Sequence, residues 1–129
     1  MEKRLQHAIT ALLAGCICIL SSCGCDLTTG LTVRNPSGHY VAFTEGGECG
    51  GALSSYESHV QISRPYNLFG YQLWTSRKGI FGATVNLDQL TIHWTDEHNL
   101  SVACRCRKDA VLFNDAKWRD ISITYAFTP

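Results

Sequence analysis

Between Leu90 and Arg107 apolar and polar residues trade places almost one for one. Leu90, Ile92 and Trp94 fall on one side of an extended chain, with Thr91 and His93 on the other. After Thr95, Asp96, Glu97, His98 and Asn99, a set of turn-forming residues, the pattern resumes. Leu100, Val102, Cys104 and Cys106 then alternate with Ser101, Ala103, Arg105 and Arg107. A period of two means a strand with one buried face, because successive side chains leave a strand on opposite sides.

Shorter runs of the same kind occur at 31–34, 39–44 and 58–63. Another spans 121–127, where Ile121, Ile123, Tyr125 and Phe127 share a side. Residues 69–75 form an aromatic-rich run, and 80–85 a weaker one broken by Gly82. No segment keeps a helical period over ten residues. Asn35-Pro36-Ser37-Gly38 carries proline second and glycine last, the chemistry of a type I turn, so 31–34 and 39–44 should form a hairpin. Residues 46–55, rich in Gly and Ser, read as a loop. The expected fold is all-β: a small antiparallel sandwich or barrel of seven to nine short strands.

The first 25 residues follow another logic. Lys3 and Arg4 precede a charge-free run over 8–20, and small residues follow at Ser21, Ser22 and Gly24. That is the layout of an export signal, and the run falls short of the ~20 apolar residues of a permanent span. Leu20-Ser21-Ser22-Cys23 resembles the bacterial lipobox, whose cysteine thiol accepts the lipid. The reading is a signal over 1–25 with Cys23 as acceptor and a single β-domain over 26–129. A lipid tail would tether this domain to a bilayer without spanning it. The resemblance, with Gly24 rather than Asp after the acceptor, implies outer-membrane sorting. The expected location is the bacterial cell envelope, lipid-anchored at the outer membrane or in the periplasm, with secretion as the second choice.

Cys16 and Cys18 leave with such a signal, so Cys25, Cys49, Cys104 and Cys106 remain, an even set in an oxidising compartment. Strand rise puts Cys104 and Cys106 ~6.6 Å apart with parallel side chains, a poor fit for a mutual bridge. Three connectivities are open; Cys49 with Cys104 is the expected pair. A zinc site from Cys49, Cys104, Cys106 and His59 or His93 is the competing reading, but C-x-C departs from the usual C-x₂₋₄-C spacing. No metal and no cofactor is expected.

With 129 residues there is room for one domain. Eleven basic residues balance eleven acidic ones, which argues against a partner bound through phosphate neutralisation, so no nucleic acid is expected.

Three segments in order, NPSGHYVAF (35–43), ECGGALSSYESHVQI (48–62) and LTIHWTDEHNLSV (90–102), resemble a family of small bacterial exported proteins. Its members carry an SPDGKY-like turn, a DCG-like loop and a Trp-containing hairpin. Gly50, Gly51, Ala52 and Leu53 depart from the family's Ala-Thr-Thr, and the aromatic stretch at 66–81 is this chain's own. The resemblance implies export and carries over no catalytic residue.

Tyr66, Phe69, Tyr71, Trp74 and Phe81 cluster near Arg64, Arg77 and Lys78. Most of these rings are expected to fill the core. Tyr66 and Phe81 flank turns and, with Arg77 and Lys78, form the candidate binding surface. Ser54 or Ser55 with His59, and the carboxylates Asp96, Glu97 and Asp120, are the only catalytic candidates, and no nucleophile motif frames them. Arg105, Arg107 and Lys108 form a basic stripe suited to a solvated sheet edge. The expectation is a lipid-anchored or secreted envelope domain that binds an envelope protein or glycan without catalysis. A small periplasmic hydrolase or enzyme inhibitor is the alternative, and a structural envelope protein without a ligand the third.

Overall fold

The computed structural model describes residues 25–50 and 54–129; the signal, the lipobox and Cys23 lie outside them, as do residues 51–53. Among the described residues nine strands form two sheets. They are β1 (Asp26–Arg34), β2 (Val41–Cys49), β3 (Ser55–Leu68), β4 (Tyr71–Ala83), β5 (Leu90–Trp94), β6 (Asn99–Cys104), β7 (Val111–Asn114), β8 (Lys117–Trp118) and β9 (Ile121–Phe127). One sheet has the order β1-β2-β3-β4-β7, the other β5-β6-β9-β8. They pack as a small sandwich. Among the described residues no helix is long and apolar enough to cross a membrane.

The alternating runs build the core as the period of two requires. Leu90, Ile92, Trp94, Leu100, Val102, Cys104, Cys106, Ile121 and Ile123 are buried from the smaller sheet. Ala42, Val60, Ile62, Ile80 and Phe81 meet them from the larger one. The hairpin turn between β1 and β2 closes with the Gly38 amide donating to the Asn35 carbonyl at 2.9 Å. Tyr125 slides a hydroxyl between the sheets, 3.0 Å from the Ile80 carbonyl and 2.6 Å from that of Asp115. Burial and the nearby Asp115 charge push that hydroxyl well above its ordinary pKa.

Several expectations give way. The sandwich is not wholly antiparallel: β6 and β9 run parallel, from Asn99 opposite Ser122 to Cys104 opposite Phe127. β7 and β8 are additional, too short for a visible period. The expected loop at 46–55 is shorter among the described residues, because β2 continues through Gly46 and Gly47 to Cys49 and β3 opens at Ser55. Glycine is needed there: a Cβ at Gly47 would collide with the Asp26 carbonyl of β1. Gly82 likewise sits under the Phe113 ring of β7, which leaves no room for a Cβ.

The cysteines pair as Cys25–Cys49 and Cys104–Cys106, not Cys49–Cys104. Antiparallel pairing of Asp26 with Glu48 sets Cys25 directly across from Cys49, with Cα atoms 4.4 Å apart. β6 ends at Cys104; the Arg105 amide still donates to the Gln89 carbonyl at 2.9 Å in the register of the β5–β6 ladder, and the chain bends over Arg105 and Cys106. That bend shortens the Cys104–Cys106 Cα separation to 5.2 Å, well within disulfide reach, where a straight strand would leave it at the upper edge with parallel side chains.

Candidate functional site

The longest strands carry the most exposed feature. β2 pairs with β3 only as far as Val41 opposite Ser63, and β7 pairs with β4 only over Phe81, Gly82 and Ala83. From Arg64 to Leu68 and back from Tyr71 to Thr75 the two strands pair only with each other among the described residues. The result is a two-stranded ribbon projecting past the sandwich. Register sets Tyr66 across from Leu73 and Leu68 across from Tyr71, so these four share one ribbon face. All four are exposed, Tyr66 by 54% and Tyr71 by 74%. Residues 65–76 contain no charge.

The ribbon turns on Phe69 and Gly70, with φ of 50° and 79°. Two residues of positive φ make the hairpin turn that matches strand twist, for which Asn-Gly is the favoured pair. Phenylalanine suits neither the backbone nor the setting: αL costs an L-residue about 1–2 kcal/mol. Its ring is also 91% exposed. Local stability explains neither property, and backbone outliers of this kind collect at functional sites.

The ribbon's edges are closed to further strands. Pro65 removes a donor on β3. On β4 the register slips near Ser76, which has φ 57°, and Arg77 and Lys78 follow. Bulges, proline and charge discourage edge-to-edge pairing. The apolar face is what remains for contact.

At the foot of the ribbon lies a polar cleft of about 180 Å³, lined in part by Arg64, Tyr40, Glu97, His98 and Asp120. Asp120 accepts from the Tyr40 hydroxyl and faces His98 Nδ1, both at 3.1 Å. Its own backbone N–H, then Tyr40 and His98, hold the Asp120 carboxyl below its ordinary pKa. Buried Asn35 donates through Nδ2 to the carbonyl and carboxylate of Glu97, and its Oδ1 accepts from the Tyr40 amide. These polar groups satisfy one another and tie three turns together. They join the β1–β2 turn of the larger sheet to the β5–β6 and β8–β9 turns of the smaller one.

The structure divides the candidate residues. Tyr66 is exposed on the ribbon face, as a binding surface requires. Phe81 is not: it is fully buried, stacked on Tyr125 with ring centroids 5.5 Å apart. A register slip between Val60 and Gln61 turns it inward among the core residues. Phe69 and Tyr71, expected in the core, are exposed because neither sheet extends under them; the Trp74 side chain lies outside the described residues. Arg77 is held by Glu45 and sits over the Phe43 ring, 4.8 Å from its centroid. Lys78 pairs with Asp115 at 3.5 Å.

His59 meets Glu57 and the Phe113 ring, while Ser55 lies four residues back along the same strand, ~13 Å away. No serine–histidine dyad forms from them. Of the three carboxylates, Asp120 and Glu97 meet in the cleft and Asp96 caps its own turn. Cys49, Cys104 and Cys106 are all bridged, so the zinc reading loses its thiolates. Arg105 and Arg107 pair with Asp88 and Asp109, and Lys108 begins a short 3-10 turn.

Leu68 and Leu73 escaped the sequence reading, which has Asn35, Tyr40 and His98 as turn or motif residues, not as site residues. A signal for the ribbon residues existed: a charge-free stretch with a single glycine between two extended runs reads as a long hairpin. Comparison with known proteins adds no family, since no family model, curated protein or solved structure matches this chain.

Proposed function

We propose that the protein is an exported, lipid-tethered domain of the bacterial envelope that works by non-catalytic binding through the β3–β4 ribbon. The observation that carries this reading is Phe69, held at positive φ and exposed at the tip of an uncharged apolar face. Exposed apolar patches on a folded domain mark interaction sites, and tyrosine with aromatic neighbours is the usual composition of their energetic centre. Export and acylation at Cys23 rest on the lipobox and on the resemblance to small exported proteins. Geometry supports the combination. Cys25 lies at the end of the larger sheet where β3 begins, and β3 is 14 residues long, so the tip stands roughly 40 Å from Cys25.

The test is a photo-crosslinking residue in place of Tyr71, expressed in bacteria from the full chain, with Leu112 on β7 as the exposed control. Adducts at position 71 and none at 112 are expected, with the protein in the membrane fraction. Cys23→Ala should move it to the soluble fraction. A position 71 that gives no adduct removes the binding reading, and a Cys23→Ala protein still membrane-bound removes the tether.

A further inference from the structure

We infer that the ribbon's apolar face is a self-association surface, and that its partner is the same face of a second copy. This rests on the ribbon being the contact surface proposed above, and adds what it contacts. In a two-fold interface each group near the axis meets its own image, so any charge there meets a like charge. Residues 65–76 hold none, and Tyr66, Leu68, Tyr71 and Leu73 form a patch that can face its own image without electrostatic cost. The whole chain is also balanced, eleven basic against eleven acidic residues, so long-range repulsion between copies is small.

The mode of contact follows from what is closed. Pro65 on one edge and the Ser76 irregularity with Arg77 and Lys78 on the other leave face-to-face packing instead of a continuous sheet. The three exposed rings, Tyr66, Phe69 and Tyr71, offer on the order of 400 Å² per copy, before the two leucines are counted. That is about half the ~800 Å² a side of a standard interface, so a reversible dimer is expected, not an obligate one. A two-fold axis running along the ribbon keeps both Cys25 ends on the same side. Two copies held in one bilayer can therefore meet ribbon face to ribbon face without inverting either.

Two differently tagged full-length copies are co-expressed, the photo-crosslinking residue replaces Tyr71 in one, and membranes are irradiated before extraction. The expected adduct has twice the chain mass and carries both tags. Replacing Leu68 and Leu73 together by Asp should lower its yield at least tenfold, while the circular dichroism and thermal midpoint of the purified variant stay near wild type. Should that pair unfold the protein, Phe69→Asn, which suits the turn, serves as the second variant with the same expected direction. An adduct at position 71 with a protein of another mass, and none carrying both tags, overturns self-association and leaves the binding reading standing. No adduct of any kind overturns both. An unchanged yield in folded variants also overturns the inference.

Discussion

Arg77 donates to the Glu45 carboxylate at 2.7 Å, across the outward face of the larger sheet, with Glu45 nearly buried and Arg77 half exposed. The Gln61 amide reaches the second oxygen of the same carboxylate. Glu45 can sit under the sheet's surface because both oxygens are taken. Arg77→Ala should therefore cost more than a surface pair normally does, about 1–2 kcal/mol, since it strands a buried charge on one remaining partner. Urea unfolding measures it. A loss below 0.5 kcal/mol, a bound set by ordinary surface changes, would show that water replaces the guanidinium freely.

The tip residue opposes the stability of its own turn. Phe69→Asn should raise stability by about 1 kcal/mol, because asparagine tolerates positive φ and the lost ring was in solvent. The same change should weaken ribbon contacts. Chemical denaturation reads the first effect; a variant less stable than wild type would mean that the Phe69 ring packs against something in solution.

The two bridges should differ in worth. Cys25–Cys49 spans 24 residues and Cys104–Cys106 only two. In the chain-entropy account, removing the first costs about 3 kcal/mol and removing the second about half that. Paired Cys→Ser variants at each bridge, unfolded in urea without reductant, give the order. Peptide mapping of the unreduced protein checks the pairing itself, and a Cys49–Cys104 peptide would refute it.

Acid should loosen the turn between β5 and β6. The His98 backbone N–H, followed by the Asn99 side chain, holds the Asp96 carboxyl below its ordinary pKa. A carboxyl whose folded pKa lies below its unfolded one, near 3.9, stabilises the fold above that value. This contribution disappears as pH falls through the folded pKa. Wild type should lose thermal stability below about pH 4, and Asp96→Asn should lose less over that window. Parallel curves for the two proteins would exclude the turn as the source.

The smaller sheet was legible because burial along a strand is a local property. Leu90, Ile92 and Trp94, Leu100, Val102 and Cys104, and Ile121 and Ile123 needed only the period of two to be assigned an inner face. The ribbon was only half legible. Its aromatic composition and its lack of charge are in the chain, but the same composition fits a core strand. Whether Tyr66, Phe69 and Tyr71 are covered depends on how far β2 and β7 extend beside them.

The sequence by itself therefore determined an all-strand domain, the inward faces of its most regular strands and the turn at residues 35–38. Each of these follows from neighbours along the chain. Only the tertiary structure decided that β6 and β9 run parallel and that Cys25 faces Cys49. It alone exposed Phe69 and buried Phe81, two phenylalanines of the same strand pair. Those outcomes depend on register, and register is set by irregularities near Ile80 and Ser76 and by partners far away in sequence. A slip of one residue exchanges the faces of a strand, and no local pattern announces it.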